Sequence, residues 1–200
     1  MRKGAFIVLE GIDGTGKSTI ARKLKEQLEG EGREVLLTAE PTKEWLGDAV
    51  RRANEEDLDP RTESLLFTAD RCQHTAGIGR WVDEGKVVIC DRYFGSTVAY
   101  QGAALEPTMG ENAIPWLMTL NGPVARRADV TVLLTAEPAT AMERVGNRGQ
   151  LSKFEKEGYL RKVQGNYLLL AKELDWTVID SNGRLAQVME AVLRAVRAYV

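Results

Sequence analysis

Residues 5–24 read AFIVLEGIDGTGKSTIARKL, and this stretch decides how the chain begins to fold. Its first five residues form a short apolar run that predicts a buried strand. Ile20, Leu24 and Leu28 follow at helical spacing and predict a helix. A glycine-rich segment therefore connects a strand to a helix close to the first residue of the chain.

The connecting segment contains Gly11, Gly14 and Gly16, which allow a backbone to turn left-handed and to approach a ligand closely. Residues 11–18 fit the pattern G-x-x-x-x-G-K-[ST], and the strand-to-helix context favours a phosphate-binding loop over a glycine-rich turn without a ligand. Free N–H groups and the positive dipole end of the helix both favour an anion there. The residues predicted to bind a nucleoside triphosphate are Gly11, Ile12, Asp13, Gly14, Thr15, Gly16, Lys17, Ser18 and Thr19.

Two side chains of this loop have predicted roles. Lys17 would reach the β and γ phosphates of a nucleoside triphosphate as a mobile positive charge, and the hydroxyl of Ser18 would enter the coordination shell of Mg²⁺. The loop therefore predicts that a triphosphate is bound, but not what happens to its γ phosphate.

The composition points to small-molecule partners. The 200 residues include 27 Lys and Arg against 29 Asp and Glu, a net charge of −2 that favours neither nucleic acid nor an anionic membrane. Cys72 and Cys90 lack metal-ligand spacing and fit a reducing compartment. Without a signal-like N-terminus or an apolar run approaching 18 residues, we expect a cytoplasmic protein, with one domain over residues 1–200.

Apolar runs suited to strands recur along the chain, with helical patterns between them. They lie at Val35 to Thr38, Val87 to Cys90, Val130 to Leu134 and Thr177 to Ile179. Strands that alternate with helices imply parallel β-α-β units with right-handed crossovers. The predicted fold is therefore α/β, with three layers and a parallel sheet of about five strands flanked by helices.

Ligands of such sheets bind beyond the carboxyl ends of the strands. Glu10, Glu40, Asp91 and Glu137 each stand at or just after the end of a predicted strand. Two long polar connections, residues 53–63 and 145–158, interrupt the pattern, and the second is the better candidate for a lid over the site.

The pair Asp91-Arg92 ends a strand that we expect to be buried, where an unpaired charge would be costly. One interpretation is a purely structural ion pair that closes the sheet. The other assigns Asp91 to the metal, through water, and Arg92 to an acceptor phosphate. Motor and AAA-type ATPases more often have a second acidic residue after such an aspartate, so the arginine here favours a kinase.

Four segments together resemble the thymidylate kinase family: FIVLEGIDGTGKST, LLFTADRCQH, VVICDRYFGSTVAYQG and ERVGNRGQLSKFEK. The resemblance runs from residue 5 to about residue 172. It implies a P-loop fold with a core and a lid, transfer of phosphate from ATP to dTMP, Mg²⁺ as the cofactor and a homodimer.

By this resemblance, the residues that bind dTMP are Asp13, Phe67, Arg71, Arg92, Ser96, Thr97, Tyr100 and Gln101. Asp13 would hold the 3′-hydroxyl of the deoxyribose, for which an acceptor-only carboxylate is suited. Tyr100 would lie below the sugar and disfavour a 2′-hydroxyl. His74, the sole histidine, is expected to be a structural hydrogen-bonding residue and not a base.

The resemblance assigns the thymine to a further group of side chains. Phe67 would stack on the ring, and Arg71 would bind its edge. Gln101, together with Ser96 or Thr97, would contact its polar groups. From the residue pattern alone, Phe67 fits an ordinary core position equally well, because it follows two leucines on an apolar helix face.

The cation that assists the γ phosphate is expected in the lid, since the loop position that is basic in one group of relatives is Gly14 here. Arg144 and Arg148 are spaced to share one helix face, with Lys153 as a further helper; the alternative is a solvated basic face, which the absence of an arginine in the loop disfavours. The predicted catalytic residues are Lys17, Asp91, Arg92, Arg144 and Arg148, and the predicted metal ligands are Ser18 and Asp91.

One departure from the family concerns the residues after the second strand, where many relatives have T-R-E-P and this chain has Ala39 in place of the arginine. Lys43 or Arg51 are candidates to compensate. A lysine is a point charge and does not reproduce a bidentate guanidinium clamp, so we expect weaker binding of the acceptor phosphate if Lys43 is used.

Two alternative functions remain at this point. A kinase for another deoxynucleotide or for a deoxynucleoside would have the same phosphate machinery. A nucleotide-dependent switch would bind a triphosphate without an acceptor, although the absence of an N-K-x-D string counts against a GTPase.

Overall fold

A five-stranded parallel sheet forms the centre of the computed structural model. The structure describes the backbone of residues 3–56, 58–146 and 153–200, and the side chains of the same residues except 153–156. The strands are β1 (Ala5–Glu10), β2 (Val35–Ala39), β3 (Val87–Asp91), β4 (Val130–Thr135) and β5 (Thr177–Asp180), in the spatial order β2-β3-β1-β4-β5. The predicted sheet is confirmed, and each strand extends one residue beyond the apolar run that predicted it.

The helices that the structure describes are α1 (Lys17–Gly30), α2 (Trp45–Glu55), α3 (Pro60–Asp83), α4 (Phe94–Met109), α5 (Ala113–Asn121), α6 (Pro138–Val145), α7 (Lys153–Glu173) and α8 (Leu185–Val196), with a short 3₁₀ helix at Gly110–Asn112. Both predicted polar connections are shorter than expected. The first is confined to residues 56–59 by α2 and α3, and the second ends where α7 begins. No helix in the described ranges is long and apolar enough to cross a membrane.

Apolar side chains cover both faces of the sheet. On one face, alternate residues of β1 such as Ile7 and Leu9 pack against Leu24 of α1 and Val192 of α8. On the other face, Phe6 and Val8 belong to a cluster with Ile78 of α3 and Tyr93. Helices on both faces of a parallel sheet give the three-layer architecture that the sequence predicts.

The register of the central strands sets the position of the functional residues. Leu9 of β1 lies opposite Asp91 of β3, and Glu10 lies opposite Leu133 of β4. Because parallel strands end at the same edge, the loop after β1 emerges beside the Asp91-Arg92 pair.

Candidate active site

The loop after β1 has the tight, left-handed backbone that its glycines predict. Gly11 has φ +140° and Gly14 has φ +87°. A Cβ atom at Gly11 would lie 2.2 Å from the carbonyl oxygen of Leu134, and one at Gly14 would lie 2.0 Å from that of Ala141. Side chains at these two positions would therefore clash with β4 and α6. Since α1 begins at Lys17, its free N–H groups face the hollow of this loop.

Lys17 lies buried inside the loop. Its Nζ donates a hydrogen bond to the carbonyl oxygen of Ile12 at 2.9 Å. Burial, followed by repulsion from Arg92, lowers the pKa of Lys17 to about 7, although the carboxylates of Asp91 and Asp13 act in the opposite direction. A bound phosphate would favour the protonated amine, so the loop is electrostatically suited to an anion.

The two predicted metal ligands lie together. The Ser18 hydroxyl, at the start of α1, donates a hydrogen bond to Oδ2 of Asp91 at 2.5 Å. Hydroxyl and carboxylate oxygens suit Mg²⁺, which usually takes one or two carboxylates, several waters and substrate phosphates. The described residues contain no group of three or more His, Cys, Asp or Glu side chains placed to hold a metal ion. This pair therefore fits a Mg²⁺ ion that arrives with a triphosphate.

Arg92 joins the end of β3 to the phosphate loop. Its NH2 group forms an ion pair with Oδ1 of Asp13 at 2.7 Å, and its guanidinium lies 5.1 Å from the ring centre of Tyr100. The Tyr100 hydroxyl donates to Oδ2 of the same aspartate at 3.1 Å. Partial burial raises the pKa of Asp13, but the charges of Arg92 and Lys17 outweigh it, so the net pKa is below the ordinary value. The structure thus places three predicted dTMP residues in one cluster.

Arg71 lies fully buried in a second cluster between α3, α4 and α5. Its NH2 group donates to Oγ1 of Thr97 at 2.9 Å and lies 2.7 Å from Oε2 of Glu40. Its NH1 group donates to Oδ1 of Asn121, and the guanidinium lies over the ring of Tyr93 at 5.5 Å. These contacts fix the guanidinium, but its Nε atom has no hydrogen-bond partner among the residues that the structure describes.

Gln101 also has one unpaired buried atom. Its Nε2 donates to Oε2 of Glu63 at 3.2 Å, whereas its Oε1 has no partner within the described part of the chain. Phe67 is half-buried and is absent from the hydrophobic clusters formed by the described residues. Because a buried polar atom without a partner is costly, the unpaired donor of Arg71 and the unpaired acceptor of Gln101 point to a ligand.

His74 supports the Arg71 cluster through Glu40. Its Nδ1 lies 3.0 Å from Oε1 of Glu40, and its Nε2 lies 2.8 Å from Oγ1 of Thr38. Both ring nitrogens are thus occupied by protein partners, in keeping with the structural role expected from the sequence.

Arg144 reaches the phosphate loop from the last turn of α6. Its NH1 group donates to the carbonyl oxygens of Gly14 at 3.4 Å and Ser181 at 3.2 Å. Helix α6 ends at Val145, and the helix face that residues 144 and 148 were expected to share stays a prediction. Arg148 itself and the side chain of Lys153 lie outside the described residues.

A cavity of about 970 Å³ opens beside Ser18 and Asp91. Ala39 lines it together with the two candidates for compensation, Lys43 and Arg51. Arg51 NH2 donates to Asp48 at 2.6 Å, and its NH1 donates to the carbonyl oxygen of Pro41 at 3.4 Å. The half-buried Arg51 is therefore held more firmly at the cavity than the exposed Lys43.

Several residues around the site are missing from the sets predicted from the sequence, among them Glu10, Glu40, Asn121 and Tyr167. Glu10 and Glu40 stand at or just after the ends of strands, and this position is the signal in the sequence that could have identified them. Asn121 and Tyr167 come from α5 and α7, and nothing in their neighbouring sequence indicates that they reach Arg71 and Arg92.

Comparisons with known proteins give a consistent result. The thymidylate kinase family model matches residues 9–192, a range that includes every candidate site residue. The chain is 41% identical over 201 residues to a probable thymidylate kinase of Methanococcoides burtonii, covering 99% of this chain and 98% of the relative. A probable thymidylate kinase of Methanosarcina acetivorans is 40% identical over 202 residues, covering 99% and 98%. One of Pyrococcus horikoshii is 44% identical over 180 residues, covering 85% and 84%.

Proposed function

The chain belongs to the thymidylate kinase family, and from this premise we propose that it transfers the γ-phosphoryl group of ATP to dTMP, forming ADP and dTDP. One observation supports the acceptor most directly: Arg71 Nε is a buried donor and Gln101 Oε1 a buried acceptor, neither with a partner among the described residues. The edge of a thymine ring presents a carbonyl oxygen next to an N–H group. These are the two complements that the unpaired atoms require.

The other groups proposed to bind the base surround this pair. The half-buried ring of Phe67 is proposed to stack on thymine, and Thr97, which holds Arg71, is proposed to contact its polar edge. Ser96 was predicted as an alternative to Thr97 for this contact. Its hydroxyl instead donates to Glu10 at 2.6 Å, which favours Thr97.

ATP is proposed to bind on residues 11–19, with the phosphates against the loop N–H groups and Lys17. Ser18 and Asp91 would hold the Mg²⁺ ion, which would neutralise the charge that develops on the phosphates during transfer.

On the acceptor side, we assign the dTMP phosphate to Arg92 and the 3′-hydroxyl to Asp13. The ion pair between Arg92 and Asp13 holds these two groups close together. A phosphate oxygen of dTMP attacks the γ phosphorus in line, and the bond between γ phosphorus and the bridging oxygen breaks as its electron pair leaves with ADP. A phosphate monoester is largely ionised at neutral pH, so this step needs no strong protein base.

Arg144 is proposed to stabilise the charge on the transferred group from the lid side, since it already contacts the loop carbonyl of Gly14. Arg148 is proposed for the same task on the strength of the family resemblance. Closure of the proposed lid, residues 145–158, would exclude water, so that the phosphoryl group goes to dTMP and is not lost to hydrolysis.

The family resemblance is also the basis on which we propose a homodimer and a cytoplasmic location. Light scattering during gel filtration tests the first: twice the mass of the 22.1 kDa chain is expected.

The activity is tested by coupled ADP release with Mg-ATP and, separately, dTMP, dUMP, UMP, CMP, AMP and GMP, beside a sample without acceptor. Turnover with dTMP well above that of the other monophosphates supports the proposal. Preference for another monophosphate would change the substrate, and slow ADP release that ignores every acceptor would favour a nucleotide-dependent switch.

A further inference from the structure

Glu10 is a fully buried carboxylate at the end of β1 that has no role in the steps above. Its Oε1 accepts hydrogen bonds from the backbone N–H groups of Tyr93, the residue before α4, at 3.0 Å and of Ser96, in the first turn of α4, at 3.1 Å. Its Oε2 accepts from the hydroxyls of Ser96 at 2.6 Å and Tyr167 at 3.1 Å. Four donors from two helices therefore converge on one carboxylate.

The same two hydroxyls contact Arg92. Its NH1 group donates to Oγ of Ser96 at 3.0 Å and to the hydroxyl of Tyr167 at 3.3 Å. A guanidinium only donates hydrogen bonds, and an ionised carboxylate only accepts them. The Ser96 hydroxyl can therefore accept from the arginine and donate to the carboxylate. The Tyr167 hydroxyl can likewise accept from Arg92 and donate either to Glu10 or to Oγ of Ser96, which lies 2.7 Å away.

The backbone of Arg92 is held from the same strand. Its φ is +72°, a left-handed conformation that a residue with a Cβ atom rarely adopts. The Arg92 N–H donates to the carbonyl oxygen of Leu9 at 2.9 Å, and the next N–H, that of Tyr93, donates to Glu10. The end of β1 thus holds the peptide groups on both sides of the Arg92 Cα atom.

The carboxylate also lies directly against α4. A Cβ atom at Gly95 would be 2.8 Å from Oε1 of Glu10 and 2.5 Å from the indole ring of Trp176. The position before Ser96 therefore has no room for a side chain, and the carboxylate occupies the site that a helix N-terminus offers to an anion.

We propose that Glu10 is a positioning residue for phosphoryl transfer: through the Ser96 and Tyr167 hydroxyls it holds the Arg92 guanidinium where the acceptor phosphate binds. The inference rests on the proposed function, because it assumes that Arg92 meets the phosphate of dTMP. It also assigns the Ser96 hydroxyl to the support of Arg92.

Glu10→Gln separates this role from a purely structural one. The amide oxygen can keep both backbone contacts to α4, while the NH₂ group places donors where the two hydroxyls need an acceptor. Asp129→Asn is the matched control, since Asp129 accepts the backbone N–H of Phe6 at 2.8 Å, at the opposite end of β1. Thermal unfolding of both variants reports the loss of stability that each change causes.

For Glu10→Gln we expect kcat/KM for dTMP to fall about 10- to 100-fold, the range typical when an outer partner that orients a functional group is lost. The KM for ATP should stay unchanged, and Asp129→Asn should alter neither parameter. A fall in kcat/KM for dTMP no larger than that of Asp129→Asn would overturn the positioning role. If Glu10→Gln does not fold, Tyr167→Phe removes one of the two links and should give a smaller loss in the same parameter, whereas unchanged kinetics would contradict the inference.

Failure of the proposed function has a different signature, because the wild-type enzyme itself would then not phosphorylate dTMP. A crystal structure of Glu10→Gln decides the inference in that case. Displacement of the Arg92 side chain from Ser96 and Tyr167 supports it, and an unmoved guanidinium overturns it.

Discussion

Arg92 and Asp13 form an ion pair of 2.7 Å between the residue that follows β3 and the phosphate loop that follows β1. The loop proposed to bind ATP and the arginine proposed to bind the dTMP phosphate are therefore in direct contact, although 79 positions separate the two residues in the chain. The contact is possible because β1 and β3 are neighbours and end in register.

Replacement of Arg92 should therefore impair the use of dTMP without impairing the binding of ATP. Arg92→Ala should lower kcat/KM for dTMP on the order of a hundredfold or more, because a charge-assisted contact to the transferring phosphates is removed. ATP affinity should be largely kept. Arg92→Lys retains the charge without the planar fork and should recover only part of the activity. Loss of ATP affinity with normal use of dTMP would show that the two sites are assigned the wrong way round.

Nucleotide binding should take up a proton above neutral pH. Burial lowers the pKa of Lys17 to about 7, so at pH 8 the neutral amine is favoured, and a bound triphosphate would favour the charged form. Calorimetric titration with ATP in buffers of different ionisation enthalpy should therefore show net proton uptake at pH 8 and less uptake at pH 6, where the amine is already charged. Equal heats in all buffers at pH 8 would contradict this account of the loop.

Phe67→Ala should raise the KM for dTMP. Stacking of a base on an aromatic ring contributes about 1–3 kcal/mol in nucleic-acid sites, which corresponds to roughly a 5- to 150-fold change. Leu65→Ala is the control, because Leu65 is exposed on the same helix, α3. If both variants keep the wild-type KM, Phe67 is a packing residue and does not contact the base.

Arg51 is expected to supply part of the charge that Ala39 lacks. Arg51→Ala should raise the KM for dTMP by about tenfold, as for the loss of one hydrogen bond to a charged group. The next residue provides a control, since Arg52 is exposed and pairs with Glu56 at 2.6 Å. Arg52→Ala should leave the KM unchanged. A second variant, Ala39→Arg, should lower the KM, and no response to either Arg51→Ala or Ala39→Arg would remove this cavity from the acceptor site.

Arg144→Ala should reduce kcat with little change in the KM for dTMP, because Arg144 contacts the loop proposed to hold the triphosphate and not the proposed acceptor cluster. Arg161→Ala provides a comparison, since Arg161 is an exposed arginine of α7 paired with Glu157. Equal kcat values for both variants and the wild type would place the lid cation elsewhere.

The parts of the fold that were predictable depend on local pattern. Apolar runs located all five strands, and the glycines of the loop predicted left-handed backbone at Gly11 and Gly14, because both signals lie within a few residues of the structure they specify. The polar connection predicted over residues 53–63 overlaps the end of α2 and the start of α3, because Asn54 and Glu55 are polar and exposed and therefore resemble a connection.

The contacts within the site were less accessible from the sequence. The position of Glu10 at a strand end was visible, but its four donors come from residues 93, 96 and 167. Likewise, Asn121 meets Arg71 only because α3 and α5 pack together. Such long-range hydrogen bonds leave no periodic trace, so the sequence did not reveal the residues that hold Arg71 and Arg92 in place.

The most direct test of the proposed reaction follows the γ phosphate itself. ATP labelled in the γ position is incubated with the protein, Mg²⁺ and dTMP, and the products are separated by chromatography. We predict that the label appears in dTDP in equal amount to the ADP formed, and that little is released without dTMP. Label recovered only as inorganic phosphate, at a rate independent of dTMP, would contradict phosphoryl transfer to this acceptor.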